Sequence, residues 1–551
     1  MPDTQTPFEL GSDLLRLEDL VSVARQGRRV GIAPVVAERM RASAEWLGSV
    51  MDAMDGSHEV LPVYGVNTGF GSLAGRAAFP VRGDAAELSR RLVVSNASGV
   101  GRSVDEEVVR ATMLIRAVSL AEGHSAVDIR LVEVLVAMLN AGVHPVVPEY
   151  GSLGASGDLI PLAHIALVAT DSGGADESGW ARLDGELLSG ADAMRAARID
   201  RVSLKEKEGL ALLNGTSFSC AQVALALADA ENLLGNAQVA AAMSIEALLG
   251  FGDAFIEELH AARRQPGQIA VAARMRELLT GSALVNGDRA TDPSRQPPQD
   301  AYSLRCVPQV LGPIADTLGF LRGVVENELN AATDNPLVFP GLPASRSLKA
   351  VSGGNFHGEY LAFTADFISI AVTEIGNIAE RRLFRLDDGT LNRGLPDMLI
   401  DSQQVGMDCG YMLPQYLAAA LVSDCKTLAH PDSVDSIPTC ANQEDHVSMA
   451  NNAGRHARQV VANIEAVVGI EYLMAAQALE LRLGIMGLVD DDLAPASAAA
   501  LRFLRSSRSA DGRELDHITE DVVLYPRVQR AQELVRDGSI LATATAALAR
   551  T

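Results

Sequence analysis

The residues from Ser217 to Leu249 read SFSCAQVALALADAENLLGNAQVAAAMSIEALL. The stretch is rich in alanine and leucine, and its apolar residues fall on more than one face at the helical period. Such a pattern predicts an α-helix that is buried on nearly all sides, and such a helix needs other helices to cover it. The stretch therefore predicts a core of long, closely packed helices.

Further stretches share this composition, and few alternating runs of β-branched residues lie between them. They are Pro308–Asn330, Gly358–Leu386, Tyr411–Leu428 and Asn452–Leu483. We therefore predict a mainly α protein whose core is a bundle of long helices. In such bundles, sites are built from side chains on facing helices or on interrupting loops. Helices this rich in alanine also favour a symmetric oligomer, in which partner chains cover their apolar sides.

The amino-terminal part of the chain combines shorter predicted helices with glycine-rich loops, chiefly YGVNTGFGSLAG at Tyr64–Gly75 and GSLGASGDL at Gly151–Leu159. The residues Trp180–Leu188 predict a short exposed hairpin or turn. We divide the chain into a mixed, loop-rich N-terminal domain at 1–205, a central long-helix bundle at 206–485 and peripheral C-terminal helices at 486–551.

Composition and charge exclude several classes of protein. The chain has 551 residues, 48% apolar and 21% charged, which excludes disorder as its main state. Its net charge of −24 repels nucleic acid and anionic membranes, so neither is expected as a partner. No run of about 18 apolar residues predicts a membrane span, and the amino terminus does not resemble a secretory signal. The five cysteines are widely spaced without a CxxC pair, which favours a reducing cytoplasm over a disulfide framework or zinc site.

The tripeptide Ala155-Ser156-Gly157 has only small side chains, so its backbone can fold back on itself with little steric hindrance. The amide nitrogen of Gly157 could then attack the carbonyl carbon of Ala155. Loss of water, including the Ser156 hydroxyl, would leave a 4-methylideneimidazol-5-one (MIO) ring, an electrophile that no ordinary side chain provides. The alternative is a flexible loop before a helix, with Asp158 placing its charge at the helix N-terminus. On spacing alone, the alternative is favoured.

The sequence as a whole resembles the MIO-dependent aromatic amino acid ammonia-lyase and aminomutase family, and histidine ammonia-lyases most closely. The resemblance rests on ordered segments between Tyr64 and Met449, and weaker similarity covers nearly the whole chain. The segments are YGVNTGFG, GSLGASGDLIPLAHIA, GLALLNGTSFS, QDAYSLRC, DNPLVF, SGGNFHGE and DSIPTCANQEDHVSM.

The resemblance implies a fold, a prosthetic group and an assembly. The fold would be the ammonia-lyase and fumarase-like superfamily architecture. The prosthetic group would be MIO, formed autocatalytically from Ala155-Ser156-Gly157, with no metal or external cofactor. The enzyme would be a cytoplasmic homotetramer that acts on a small amino acid, and each active site would draw on three subunits.

The resemblance also implies individual roles. Tyr64 would be the general base that removes the β-proton, and the site would have to lower the pKa of its phenol. Asn214 would hydrogen-bond the exocyclic oxygen of the ring, and Arg305 would bind the substrate carboxylate. The expected catalytic residues are Tyr64, Ala155, Ser156, Gly157, Asn214, Tyr302, Arg305 and Glu444, and the expected substrate-binding residues are Ser95, Asn96, Gln299, Asn355 and Phe356.

Two positions bear on the substrate. Glu444 in NQEDHVSM matches the pattern of histidine-specific relatives, and a carboxylate suits an imidazole N–H better than a phenyl ring. Asn96, however, stands where histidine lyases usually carry a histidine. Because of Glu444, the sequence predicts elimination of ammonia from L-histidine to give trans-urocanate.

Three alternatives remain open from the sequence. They are an aminomutase that returns ammonia to the β-carbon, a lyase for a modified histidine, and a catalytically silent helical scaffold. His164, His260, His357, His430 and His446 are not at metal-ligand spacing along the chain, so no metal site is predicted.

Overall fold

The computed structural model describes residues 6–55, 61–76, 78–79, 81–285, 298–346, 348–402 and 406–549. These residues form a mainly helical protein, as predicted. The helices are α1 (Leu17–Gln26), α2 (Pro34–Met54), α3 (Arg82–Asn96), α4 (Glu106–Ala121), α5 (Arg130–Ala141), α6 (Leu159–Ala169), α7 (Gly190–Ala196), α8 (Glu208–Leu213), α9 (Ser217–Ala247), α10 (Glu257–Arg263), α11 (Pro266–Leu279), α12 (Tyr302–Arg305), α13 (Val307–Glu328), α14 (Glu359–Asp387), α15 (Met412–Leu428), α16 (Ala450–Met486), α17 (Pro495–Ser506), α18 (Tyr525–Arg536) and α19 (Ser539–Leu548).

Short strands connect parts of the chain but build no large sheet within the described residues. They are β1 (Phe8–Leu10), β2 (Val30–Ile32), β3 (Val100–Ser103), β4 (His144–Pro145), β5 (Pro148–Tyr150), β6 (Trp180–Leu183), β7 (Glu186–Ser189), β8 (Leu337–Val338) and β9 (Ala350–Val351). β1 and β2 pair in parallel, and the other pairs, β3–β5, β4–β6, β6–β7 and β8–β9, are antiparallel. The β6–β7 pair is the predicted hairpin, and its turn residues Asp184 and Gly185 both have positive φ, of 50° and 82°.

Helix α9 confirms the prediction from the opening stretch. Consecutive residues on it, Ala224 to Leu227 and again Val239 to Met243, are fully buried, so no face of the helix points to solvent there. Apolar burial all round explains why the sequence shows no clear amphipathic stripe. Truncation of a buried leucine in such a helix to alanine costs about 2–5 kcal/mol.

Contacts divide the chain into two compact units. The first unit contains Met1–Ala228, Arg322–Asp366 and Pro431–Arg455, and the second contains Asp229–Leu321, Phe367–His430 and His456–Thr551. Four of the five boundaries fall within α9, α13, α14 and α16, and the fifth, between His430 and Pro431, follows α15. The proposed division at residues 205 and 485 stays a prediction.

Helices α14 and α16 are long and apolar enough to cross a membrane by length and composition alone. Their most apolar windows are 72% and 89% buried within the protein, respectively. The apolar side chains of both helices therefore pack mainly against the protein's own residues, as in the core helices of globular proteins.

Candidate active site

The Ala155-Ser156-Gly157 tripeptide lies in a tight loop between β5 and α6. Ser156 has a φ of 55° and Gly157 a φ of 79°, and the amide nitrogen of Gly157 is 3.4 Å from the carbonyl oxygen of Gly154. A Cβ atom on Gly157 would lie 2.3 Å from the carbonyl oxygen of Gly215, so only glycine fits there. Ser156 is not a glycine, and holding its backbone in the left-handed region costs on the order of 1 kcal/mol or more. The loop therefore folds back on itself as the small residues predicted.

Ser156 is hydrogen-bonded through both its side chain and its carbonyl group. Its Oγ atom donates to Oε1 of Glu444 over 2.8 Å. Its carbonyl oxygen accepts from Nδ2 of Asn214 over 2.6 Å and from the backbone N–H of Gly215 over 3.3 Å. Two donors on one carbonyl oxygen form an arrangement that stabilises negative charge on that oxygen.

Glu444 is held by a strained turn. Its backbone pairs with Thr439, and its Oε2 accepts from the Thr439 hydroxyl over 2.8 Å. Between them Cys440, Ala441 and Asn442 all have positive φ, from 50° to 64°. Both carboxylate oxygens therefore have a donor, and one of them faces Ser156.

Tyr64 lies in the first glycine-rich loop, where its hydroxyl oxygen accepts a hydrogen bond of 3.3 Å from the N–H of Gly71. Burial raises the pKa of this phenol above 10, the Gly71 N–H opposes that rise, and the charges of Glu444 and Cys440 add to it. The expectation that these surroundings lower the pKa is therefore wrong for the described residues of one chain. Burial, with the nearby Glu444 carboxylate, outweighs the single donor.

The loop around Tyr64 rests against the turn that carries Glu444. The N–H of Ser72 donates to Sγ of Cys440 over 3.2 Å, and a Cβ atom on Gly71 would lie 2.4 Å from that sulfur atom. The first unit thus brings together Tyr64, the tripeptide, Asn214 and Glu444.

Asp158 directly precedes α6, where the alternative interpretation of the loop placed its charge. Its side chain makes no capping bond at the start of α6. Instead, its buried carboxylate accepts from the backbone N–H of Ser219 over 2.7 Å and from the Ser219 hydroxyl over 2.6 Å, and Ser152 donates over 2.9 Å. Burial raises the pKa of Asp158. The carboxylate therefore ties the loop to the first turn of α9, where a negative charge is favoured.

A buried guanidinium that was not among the predicted site residues lies behind the loop. Arg116 of α4 is 2% exposed, and a Cβ atom on Gly215 would lie 2.5 Å from its Nη2. Nη1 donates to the carbonyl oxygen of Ala211 over 3.3 Å, while Nε and Nη2 have no hydrogen-bond partner among the described residues. Burial lowers its pKa to about 10, so it is positively charged at neutral pH. The signal in the sequence is an arginine inside the apolar run MLIRAVSLA.

The second unit holds another group of the expected residues. The guanidinium of Arg305 lies over the ring of Tyr302, 4.6 Å from its centroid, and its Nε donates to the carbonyl oxygen of Asp300 over 2.8 Å. The Asp300 carboxylate is itself fixed by Arg393 over 2.6 Å. Tyr302 is 70% exposed, and Gln299 is exposed as well.

The other expected substrate-binding residues belong to the first unit. Ser95 and Asn96 both hydrogen-bond back to the carbonyl oxygen of Leu92, so their polar groups are engaged by their own helix α3. Asn355 is exposed and donates to the carbonyl oxygen of Ala332 over 3.2 Å, and Phe356 is half-buried. None of these contacts tests the roles in substrate binding, which stay predictions.

The loop fits an MIO group formed from its own residues. The carbonyl oxygen of Ser156, which would become the exocyclic oxygen of the ring, already accepts hydrogen bonds from Asn214 and Gly215. Oδ1 of Asn214 is buried without a hydrogen-bond partner among the described residues, while its Nδ2 holds the Ser156 carbonyl oxygen.

Comparison with known proteins gives consistent matches over nearly the full length. A family model described as aromatic amino acid lyase matches residues 15–506. Histidine ammonia-lyase 2 of Fusobacterium nucleatum is 42% identical over 539 residues, which cover 98% of each chain. The crystal structure of tyrosine aminomutase from Streptomyces globisporus is 33% identical with a TM-score of 0.86 and 99% of each chain covered. The structure of histidine ammonia-lyase from Trypanosoma cruzi is 34% identical with a TM-score of 0.84, covering 98% of this chain and 96% of that one.

Proposed function

The chain belongs to the aromatic amino acid lyase family, and on that basis we propose that it is a carbon–nitrogen lyase that eliminates ammonia from L-histidine to give trans-urocanate. The observation that carries the choice of substrate is the hydrogen bond between Ser156 and Glu444. A carboxylate in this place suits a substrate whose ring has an N–H group to donate.

The reaction needs an electron sink, because the amine is a poor leaving group and the β-proton is weakly acidic. The MIO group, once formed from Ala155-Ser156-Gly157, supplies this sink. For its formation the nitrogen of Gly157 bonds to the carbonyl carbon of Ala155, and two water molecules leave. The positive φ of Ser156 and Gly157 supports this proposal because it bends the tripeptide into a tight turn.

Formation of the ring changes what Glu444 can bind. One water that leaves contains the Ser156 hydroxyl, so Oε1 of Glu444 loses its donor, while Thr439 still holds Oε2. Glu444 is half-buried, and a substrate imidazole N–H would restore the hydrogen bond that Oε1 has lost. A phenyl ring has no such donor, so Glu444 favours histidine over phenylalanine.

Asn214 and the backbone N–H of Gly215 hold the negative charge that develops on the former Ser156 carbonyl oxygen. The positively charged guanidinium of Arg116 lies behind Gly215, next to the peptide group that donates to this oxygen. Arg305 binds the substrate carboxylate through its planar guanidinium, and its contact with Tyr302 orients it.

Tyr64 takes the β-proton of the substrate, which requires its phenolate form. The N–H of Gly71 points at its hydroxyl oxygen and stabilises that form, although burial and nearby negative charge keep the pKa above 10 within one chain. The additional positive charge that the base needs would then come from bound substrate or from a partner subunit.

We also infer a homotetramer in the cytoplasm. Phe320 of α13 and Tyr360 of α14 are 65% and 72% exposed, and Phe320 lines an open groove of about 710 Å³ with Val310 and Ile370. Large apolar side chains in such a groove favour burial against another copy of the chain. All five cysteines are free thiols, which agrees with a reducing compartment. A light-scattering mass equal to one chain would contradict the tetramer.

An aminomutase remains the second candidate, because the chain is as similar to a tyrosine aminomutase as to a histidine ammonia-lyase among the solved structures. Incubation with L-histidine, followed by mass spectrometry and an ammonia assay, separates the two. Urocanate with stoichiometric ammonia supports the lyase. A product of unchanged mass supports the aminomutase. If histidine is not converted while MIO is present, the proposed substrate is wrong, and modified histidines would be tested next.

A further inference from the structure

His357, Glu359 and His446 converge in the first unit, although 89 positions separate the two histidines in the chain. Nδ1 of His446 is 3.3 Å from Nε2 of His357, and the ring centroids are 5.3 Å apart. Oε2 of Glu359 is 3.8 Å from Nδ1 of His357. One possible ligand atom from each residue lies within 4.8 Å of the other two.

The three side chains are partly accessible, and the two imidazole rings are hydrogen-bonded to each other. The side chains of His357 and Glu359 are each 31% exposed, and His446 is exposed. Oε2 of Glu359 is nevertheless buried without a hydrogen-bond partner among the described residues, and 3.8 Å is too long for a hydrogen bond to His357. The carboxylate therefore has an oxygen available for another ligand.

We propose that His357, Glu359 and His446 bind one divalent transition-metal ion of the zinc type. Zinc is held by histidine nitrogens at about 2.0–2.1 Å in tetrahedral geometry, which places two such nitrogens about 3.3–3.4 Å apart. The two nitrogen atoms, which share a hydrogen bond, are 3.3 Å apart and could take this edge without a change in their separation. Two histidines and one carboxylate leave one position for water, as in open zinc sites. The spacing of these residues along the chain predicts no metal site, because only the fold brings them together.

The ion would tie two loops together. His357 follows Phe356 directly, and His446 lies two residues after Glu444, so the site would link the segments that carry two of the residues proposed to face the substrate. Metal binding does not require MIO or catalysis, and the inference therefore stands or falls independently of the proposed function.

Calorimetric titration of the chelator-treated full-length protein with Zn²⁺ tests the site, and visible absorption of Co²⁺ reports its geometry. We expect one ion per chain and the intense Co²⁺ absorption of a tetrahedral site. His357→Ala and His446→Ala should each weaken binding by at least about tenfold. His430→Ala, at an exposed histidine outside the cluster, is the matched control and should bind as the wild type does. Ser156→Ala, which cannot form MIO, should also retain the ion.

Exposed thiols are the main competing ligands, so a variant with Cys409 and Cys440 both changed to serine is included. Loss of binding in this cysteine variant would overturn the proposal. Binding that is retained in both histidine variants would also overturn it. Absence of saturable binding would also overturn it and leave only a hydrogen-bonded histidine pair. If an alanine variant misfolds by circular dichroism, His357→Gln and His446→Gln replace it, because a glutamine amide keeps much of the side-chain volume and is a poor zinc ligand. Unchanged binding in both folded glutamine variants would equally overturn the proposal.

Discussion

Ser156 donates a 2.8 Å hydrogen bond to Glu444 from a position 288 residues away in the chain. The bond joins the residue proposed to become the electrophile to the residue proposed to select the substrate. Substitution of Ser156 should affect formation of the ring, and substitution of Glu444 should affect the choice of substrate, so the two roles can be measured separately.

Ser156→Ala removes the hydroxyl that must leave as water when the ring forms. We expect turnover to fall by several orders of magnitude, because the electron sink is absent. Mass spectrometry of the proteolytic peptide that contains Ala155 to Gly157 should show a loss of two waters in the wild type and none in the variant. Ser49→Ala, at an exposed serine of α2, should change neither readout. Full turnover in Ser156→Ala would refute the ring.

Asn214→Ala removes the shorter of the two hydrogen bonds to the Ser156 carbonyl oxygen, which measures 2.6 Å. Loss of one such donor costs about 100- to 1,000-fold in kcat, so we expect that loss with little change in KM. The mass loss of the tripeptide separates slower catalysis from failed ring formation. An unchanged kcat in protein that carries the ring would exclude Asn214 from stabilising charge.

Glu444→Gln tests substrate selection with little disturbance of the turn, because the glutamine amide can still accept from Thr439. Loss of a charged acceptor for the imidazole N–H should lower kcat/KM for histidine by about 10- to 100-fold and leave phenylalanine nearly unaffected. Asp445→Asn, at the exposed neighbouring residue, removes the same charge and should affect neither. Equal losses for both substrates would remove Glu444 from selectivity.

Sequence patterns located the long helices well. The predicted stretch Tyr411–Leu428 is α15, Met412–Leu428, and the predicted Gly358–Leu386 is α14, Glu359–Asp387. Helical periodicity and composition are local properties, and they persist in the fold because burial of the same apolar residues stabilises these helices.

The site was harder to predict because its contacts are not local. The family resemblance identified Ser156, Asn214 and Glu444, and the fold does bring these three together. Nothing in the local sequence predicts that Arg116 lies behind Gly215 or that His357 meets His446, since each pair depends on the packing of distant segments. The raised pKa of Tyr64 is a further example, because it results from burial in the folded chain.

The raised pKa of Tyr64 gives a testable pH dependence. The active form of the base is the phenolate, and below its pKa the phenolate fraction rises tenfold for each pH unit. Activity on histidine should therefore increase with pH from about 6 to 8, below the reference phenol pKa of about 10. Tyr64→Phe should reduce kcat by about 100- to 10,000-fold, as expected for loss of a general base. A rate that falls as pH rises through this range would contradict the assignment.

Glu246 of α9 is fully buried, and its Oε1 accepts a 2.8 Å hydrogen bond from the N–H of Ala494 just before α17. Burial raises its pKa from 4.5 to about 7, although the hydrogen bond opposes this. Between these values the folded state binds more protons than the unfolded state, so the free energy of unfolding decreases as pH rises, and the loss is complete above about pH 7. A shift of this size corresponds to about 3 kcal/mol.

Glu246→Gln stays neutral and can still accept from Ala494, so it removes this penalty. The thermal midpoint of the variant should exceed that of the wild type above about pH 7, and the two should converge near pH 4.5, where the glutamate is protonated in both states. Glu258→Gln on α10 makes the same change at an exposed position and should leave the difference near zero throughout. A variant that is less stable at alkaline pH would show that ionised Glu246 stabilises the start of α17 by more than its burial costs.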